Sequence, residues 1–221
     1  MVRKERLVGT HSWNPAHLIP LVEVVKSDYT SVEAAQVTLE LLERAGKVAV
    51  LCKKDVPGFI ANRMQHALWR EAVSILEQGI ADAETIDKAV KHSFGLRLTH
   101  LGPMENIDMV GTDLTCNIYA YILKYLETAS EPSPILQKLR EQGMLGFKTG
   151  ESIRTWTAEQ VEESRRSLTD YLIKMIYTKA GDRQRPHNGE GRRVDTEDHM
   201  HYANGRATPT RCPLMRIVTA D

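Results

Sequence analysis

Three polar side chains near the start of the chain have the types expected of a proton-transfer site. They are His11, Glu23 and Asn62, and each lies at or near the edge of an apolar segment. A carboxylate between valines, as at Glu23, is unusual unless it has a partner. An imidazole oriented by a carboxylate is a common general base near neutral pH. These residues therefore predict a base at His11 with Glu23 as its partner, although a lone histidine on a strand is more often structural.

The elements that must position these residues form an α/β unit. Three short strands are predicted, at residues 6–11, 20–26 and 47–53. Between the second and third strands, residues 30–45 have a helical pattern, with a capping box at Thr30 and Glu33 and a stop at Gly46. A strand–helix–strand unit of this kind is typical of the end of an α/β sheet.

From Pro57 onward the periodicity is helical. Pro57 suits a first helical turn, apolar residues then recur close to the helical repeat, and Gly79 ends the run. Further helices are predicted from Asp82 to about Gly95, from Pro103 past Leu126, over residues 135–141, and from a capping box at Thr157 and Gln160 to about Thr178. Residues 57–179 are therefore predicted to be an all-α domain.

The carboxyl-terminal segment, residues 180–221, differs from the rest in composition. It has no periodicity and too few apolar residues to offset the cost of ordering, so we expect a disordered tail. Three histidines there, His187, His199 and His201, suggest a metal cluster, but a plain polar tail is the stronger interpretation because no ordered scaffold fixes them.

Composition excludes several classes of function. The 29 basic and 29 acidic residues balance, so no global field would attract nucleic acid or an anionic membrane, and no apolar stretch is long enough to span a bilayer. The three cysteines, Cys52, Cys116 and Cys212, are scattered and have no metal-site spacing. A reducing, cytoplasmic location without a bound metal is the simplest expectation.

Five motifs in order resemble the 3-hydroxyacyl-CoA dehydrogenase family. They are His-x-x-Asn-Pro at 11–15, Glu23 in its apolar strand, Pro-Gly-Phe-Ile-x-Asn-Arg at 57–63, and the glycine-containing segments 102–111 and 143–150. Together they cover roughly residues 4–178. The resemblance implies that residues 1–56 are the end of a Rossmann-type NAD-binding domain. It also implies that residues 57–179 are the helical domain, which completes the substrate cleft and forms a homodimer.

The resemblance also assigns roles. His11 would take the proton from a substrate hydroxyl while hydride leaves for NAD, and Glu23 would orient and stabilise the imidazolium. Asn62 would lie near the substrate carbonyl or the base, and Asn14 would face the cleft. The residues alone leave simpler interpretations open, since Asn62 suits a helix-start hydrogen bond and Asn14 an extended residue before Pro15.

One expected motif is missing. The family's Gly-x-Gly-x-x-Gly turn, which holds the dinucleotide pyrophosphate, does not occur, and Gly189-Glu190-Gly191 neither follows a strand nor opens an apolar helix. We therefore expect a chain that begins within the last strands of the NAD-binding domain. The opposing hypothesis is a non-enzymatic truncated product that keeps only the helical dimerisation and substrate domain.

The substrate is left open between two classes. The family name implies a 3-hydroxyacyl-CoA of fatty acid metabolism. The segment His11-Ser12-Trp13-Asn14-Pro15-Ala16-His17 instead resembles the corresponding segment in the branch that contains gulonate and pyridine-carboxylate dehydrogenases. The substrates of that branch are small and polar. His17 would then bind a substrate carboxylate, or it is simply an exposed loop histidine.

Overall fold

The computed structural model describes the backbone of residues 3–183 and the side chains of residues 3–176. A short 3₁₀ turn, Lys4–Arg6, precedes a sheet whose strands lie in the order β1-β2-β3. The strands are β1 (Gly9–Ser12), β2 (Leu21–Val25) and β3 (Val48–Cys52). β1 pairs antiparallel with β2, and β2 pairs parallel with β3 through the crossover helix α1 (Val32–Arg44). The three predicted strands and the helix between them are confirmed.

The core of the sheet is its central strand, β2. Val22, Val24 and Val25 are buried, and Glu23 between them is fully buried as well. Because β2 has a neighbouring strand on each side and α1 packs on it, its side chains have little access to water. This burial explains the nearly continuous valine run, and it makes the charge of Glu23 the exception that needs a partner.

The predicted capping box of α1 is wrong by one residue. Ser31 is the N-cap, and its hydroxyl accepts a hydrogen bond from the Ala34 N–H at 3.1 Å. The Thr30 hydroxyl donates instead to the Leu7 carbonyl at 2.7 Å and accepts from the Ser27 N–H at 3.0 Å. Thr30 therefore ties the start of α1 to the segment before β1, which a local sequence pattern does not reveal.

The second part of the described chain is helical, as predicted. Its helices are α2 (Ala61–Glu77), α3 (Ala83–Lys91), α4 (Phe94–Leu98), α5 (Pro103–Val110), α6 (Thr112–Ile122), α7 (Pro134–Glu141) and α8 (Ala158–Arg183), with a 3₁₀ turn at Leu123–Tyr125. Two predicted caps are confirmed. Asp82 accepts from the Thr85 N–H at 2.7 Å, and Thr157 and Gln160 exchange hydrogen bonds at the start of α8.

The prediction of one long helix from Pro103 past Leu126 is wrong. The backbone breaks at Gly111, whose φ of 96° is far from the helical value, so α5 ends at Val110 and α6 starts at Thr112. A glycine reaches this conformation without the steric cost that other residues meet. The helix that starts after Asp82 also ends earlier than expected, at Lys91, and Gly95 lies inside the separate helix α4.

The end of the described chain differs from the prediction as well. α8 continues to Arg183, so residues 180–183 are helical and the expected disorder is wrong for them. The remainder of the predicted tail, with His187, His199 and His201, lies outside the described residues.

Burial is uneven between the two parts. Within the described side chains of the helical part, only Ser74 and Val161 are buried, and many large apolar side chains are exposed. None of the helices in residues 3–183 combines the length and the apolar character needed to cross a membrane. The helical part therefore has little core of its own.

Candidate active site

His11 and Glu23 are directly opposite each other on the antiparallel strands β1 and β2. Residues paired in this way project to the same face of a sheet. Their side chains meet, with 2.8 Å between His11 Nδ1 and Glu23 Oε2. The Glu23 side chain is inaccessible to solvent, whereas the His11 side chain is 34% exposed. The pair therefore has a buried carboxylate and an imidazole with one accessible edge.

The other oxygen of Glu23 binds the start of α2. Glu23 Oε1 accepts hydrogen bonds from the backbone N–H groups of Ile60 at 2.9 Å and Ala61 at 3.0 Å. The first N–H groups of a helix have no partner within the helix, and the helix dipole favours a negative charge there. Glu23 thus caps α2 from a distant strand and connects the sheet to the helical part.

These contacts determine the ionisation of Glu23. Burial raises the pKa of its carboxyl, but the His11 side chain, the Ala61 and Ile60 N–H groups and the Trp13 side chain lower it more, so the pKa lies below the usual value. An ionised carboxylate only accepts hydrogen bonds, so His11 Nδ1 must carry the proton. In neutral His11 the lone pair is then on Nε2, which has no hydrogen-bond partner among the described residues. This is the tautomer that a general base requires.

The turn before α2 brings these N–H groups to Glu23. Gly58 and Phe59 have positive φ values of 79° and 44°, and Phe59 is the only described residue other than glycine with a positive φ. The prediction that Pro57 starts the helix is therefore wrong, because the left-handed turn at Gly58 and Phe59 intervenes and α2 begins at Ala61. The strained turn also places the Phe59 ring 5.5 Å from the His11 ring, centroid to centroid.

The remaining predicted site residues surround the pair less closely. Asn62 is half-buried in the first turn of α2, next to Ala61, and its side chain has no hydrogen-bond partner among residues 3–176. Asn14 and His17 are exposed in the loop after β1, where Lys47 Nζ donates to the Ala16 carbonyl at 2.6 Å. Within the described structure neither Asn14 nor His17 forms a hydrogen bond, ion pair or ring contact with His11 or Glu23.

Sequence reasoning missed two side chains of this site. Trp13 follows β1, with its ring 6.3 Å from that of His11, and Phe59 lies on the other chain segment that reaches the imidazole. The available signal was the position of Trp13 two residues after the histidine. A signal for Phe59 was its place directly after Pro57-Gly58, which marks a tight turn rather than a helix start.

The described residues contain no glycine-rich dinucleotide turn. The junction from β2 to α1 passes through Asp28, Tyr29 and Thr30 and contains no glycine, and the junction from β3 to α2 contains Gly58 alone. Neither junction therefore offers the glycine-rich backbone that a pyrophosphate approaches closely. Within the described residues no group of histidine, cysteine and acidic side chains has the arrangement of a metal site.

Comparison with protein families matches both parts of the chain. Residues 1–56 match the NAD-binding domain of 3-hydroxyacyl-CoA dehydrogenase, and residues 58–156 match the C-terminal domain of the same family. The match of residues 1–56 supports NAD as the cofactor, as the resemblance implied.

Individual relatives act on different substrates. The chain is 34% identical over 158 residues to 5-formyl-3-hydroxy-2-methylpyridine 4-carboxylate 5-dehydrogenase of Mesorhizobium japonicum. The aligned region covers 72% of this chain and 51% of that relative. It is 35% identical over 151 residues to a probable 3-hydroxybutyryl-CoA dehydrogenase of Deinococcus radiodurans. The aligned region covers 67% of this chain and 52% of that relative.

The solved structures that this chain resembles include the same two kinds of enzyme, a pyridine-carboxylate dehydrogenase and a 3-hydroxybutyryl-CoA dehydrogenase. A crystal structure of the pyridine-carboxylate dehydrogenase, described as an NAD⁺-dependent dismutase, matches with a TM-score of 0.77 and 32% identity over 80% of this chain and 57% of that one. A 3-hydroxybutyryl-CoA dehydrogenase from Escherichia coli matches with a TM-score of 0.51 and 34% identity. The match covers 69% of this chain and 32% of that one.

The chain spans about half the length of the curated relatives that it matches. The two consecutive domain matches, in the family's order and joined at the turn that brings α2 to Glu23, agree with the five motifs of the sequence. The protein belongs to the 3-hydroxyacyl-CoA dehydrogenase family.

Proposed function

We propose that His11 is the general base in an NAD-dependent oxidation of a substrate hydroxyl and that Glu23 is its orienting carboxylate. The observation that supports this most directly is the 2.8 Å contact between His11 Nδ1 and the buried Glu23 Oε2. It leaves Nε2 as the basic nitrogen on the accessible edge of the ring. A buried carboxylate that only stabilised the fold would not need a half-exposed imidazole as its partner.

The proton step follows from the charges. Nε2 of neutral His11 accepts the proton of the substrate hydroxyl, and the imidazolium that forms is stabilised by ionised Glu23. Asn62, with its free amide beside the pair, donates to the substrate oxygen, and Asn14 faces the same cleft from the loop after β1. The pyrophosphate of NAD needs residues beyond those described, so the oxidation requires a longer protein than residues 3–183.

The test is a chimera in which the NAD-binding part of the Mesorhizobium japonicum relative precedes this chain. His11→Ala should lower kcat by about 10²- to 10⁴-fold, the usual contribution of a general base. Glu23→Gln should lower it less, through loss of orientation. His92→Ala is the control, because His92 follows α3 and is exposed. Near-normal turnover of the His11→Ala chimera would exclude the role of His11.

Two substrate classes remain, and similarity favours the small polar acid. The pyridine-carboxylate dehydrogenase structure matches with a TM-score of 0.77, against 0.51 for the acyl-CoA enzyme. His17 is exposed on the loop that Lys47 holds, where it is free to bind a substrate carboxylate. A 3-hydroxyacyl-CoA is the second candidate, favoured by relatives such as the Deinococcus radiodurans enzyme.

His17→Ala separates the two substrates in the same chimera. A charge-assisted bond to a small carboxylate would be lost, which raises KM for that substrate by about 10- to 100-fold. Oxidation or reduction of an acyl-CoA should not respond to the change. Robust activity on acetoacetyl-CoA that is indifferent to His17, with none on small hydroxy acids, would contradict the small-acid proposal.

The helical part completes its core by forming a homodimer. An apolar surface of α5 and α6 supports this, and we define it by Met104, Met109, Leu114, Ile118 and Tyr121. All five side chains are exposed. In the described helical part only Ser74 and Val161 are buried, so a single copy leaves most of its apolar side chains in contact with water. A concentration of exposed apolar side chains on two consecutive helices is typical of an interaction site, and most soluble oligomers are symmetric homo-oligomers.

A further inference from the structure

Trp13 has an unusual buried donor next to the His11–Glu23 pair. Its indole Nε1 is inaccessible to solvent and, among the described residues, has no partner at full hydrogen-bond geometry. A buried N–H without an acceptor is costly, and native proteins rarely keep one. The ring itself lies edge-on to His11, with 6.3 Å between the centroids.

Glu23 has the matching acceptor capacity. Its Oε1 accepts from two backbone N–H groups, and its Oε2 accepts from His11 Nδ1 alone. A carboxylate offers about four acceptor positions, so Oε2 retains one. No other described side chain meets full hydrogen-bond geometry with this buried carboxylate.

We infer that Trp13 is a positioning residue of the pair, whose indole N–H donates to the free acceptor position of the Glu23 carboxylate. Besides the contribution of burial, which raises the pKa of Glu23, the Trp13 side chain is one of the hydrogen-bonding groups that lower it. The inference rests on the proposed function only in calling the pair catalytic, because the contact itself can be measured without substrate.

A neutral donor has a specific advantage at this place. When His11 carries a second proton, Glu23 must stay ionised rather than take that proton from Nδ1. The groups around the carboxylate are His11 from β1, the Ile60 and Ala61 N–H groups from the start of α2, and Trp13, so His11 is the one titratable neighbour in the described structure. An indole N–H favours the carboxylate at every pH without adding a charge that would repel the imidazolium.

The test uses the full 221-residue chain labelled with ¹⁵N at tryptophan. The chain has three tryptophans, Trp13, Trp69 and Trp156, so Trp13→Phe assigns the relevant indole resonance. We expect that resonance to exchange slowly with water, to change in Glu23→Gln, and to follow the acid titration of Glu23 in the unsubstituted chain. The Trp69 resonance should not respond, because Trp69 contacts His66 instead.

The reciprocal measurement follows the Glu23 carboxyl by ¹³C NMR. Trp13→Phe keeps an aromatic side chain but removes the indole N–H donor, so it should raise the Glu23 titration midpoint by ~0.5–1 pH unit. Trp69→Phe is the matched control and should leave the midpoint unchanged. If Trp13→Phe does not fold, Trp69→Phe and Trp156→Phe assign the Trp13 indole by elimination, and its response to Glu23→Gln then tests the contact. An indole that ignores Glu23→Gln, or a midpoint unmoved by Trp13→Phe, would overturn the inference even if His11 proves to be the base.

Discussion

A single buried carboxylate makes two connections in this protein. Glu23 orients His11 through one oxygen and caps α2 through the other, and its charge lies in the otherwise apolar strand β2. A buried charge is tolerated only when it is paired and hydrogen-bonded, and Glu23 meets both conditions. The same contacts therefore serve the fold and the proposed chemistry, and a change at Glu23 should affect both.

The first prediction concerns the acid stability that Glu23 provides. Its pKa in the folded protein is below the ordinary value of 4.5. A carboxyl with a depressed folded pKa contributes stability above its unfolded pKa, and this contribution is lost as the pH falls through the folded pKa. Urea unfolding followed from pH 7 downward should therefore show a loss of stability below about pH 4.5 that is reduced in Glu23→Gln.

The control for this measurement is Glu162→Gln, since Glu162 is exposed on α8. It should keep the acid dependence of the unsubstituted chain. If stability depends on pH in the same way in Glu23→Gln as in the unsubstituted chain, the contacts of Glu23 do not lower its pKa in the folded protein.

The sequence predicted the pair but not its surroundings. A histidine at a strand end and a glutamate among valines are visible as chemical anomalies, and antiparallel pairing makes them neighbours. The Ile60 and Ala61 N–H groups are not visible in this way, because any residue except proline supplies a backbone donor. The enclosed Trp13 indole likewise depends on how the loop after β1 packs, which no local pattern encodes.

At the scale of elements, the breaks are harder to predict than the helices. The apolar repeat across residues 103–126 continues through Gly111, so the sequence suggested one helix where there are two. The turn at Gly58 and Phe59 was missed for a related reason. Helix-start rules favour proline in the first turn, whereas here a long-range contact to Glu23 fixes where α2 begins.

The second prediction tests the break between α5 and α6. Gly111→Ala should destabilise the protein by about 1–3 kcal/mol, because the residue would be held at a positive φ. A Cβ there would also lie 2.7 Å from Asp113 Oδ1. Gly102→Ala is the matched control, since its φ is −66° and its Cβ would meet only the flexible end of Glu105 at 3.2 Å. Equal urea midpoints for the two variants would mean that the break is not fixed by Gly111.

At the scale of the whole molecule, the described residues include the proposed base but no glycine-rich turn for the cofactor. The third prediction is that the 221-residue chain binds NAD only weakly, with a dissociation constant above the micromolar range, because no glycine-rich turn is available for the pyrophosphate. Calorimetric titration measures this directly. Micromolar affinity would show that other residues of the chain bind the dinucleotide, and would favour an enzyme complete in this chain over a product without a cofactor site.

The fourth prediction concerns assembly. Light scattering of the purified chain should give twice the mass of one chain, because the apolar surface of α5 and α6 needs a cover that the described residues do not provide. Ile118→Asp places a charge on that surface and should raise the dimer dissociation constant at least ~10-fold, since an unpaired charge is costly in an apolar interface.

Val32→Asp is the control for the dimer measurement. Val32 is also exposed, at 67%, but it lies in the first turn of α1, where an acidic residue suits the helix dipole. This variant should associate as the unsubstituted chain does. Equal weakening by both changes would place the dimer contact elsewhere. Monomers at every concentration would exclude the homodimer, and the helical part would then lack the second copy that the proposal requires to bury its apolar side chains.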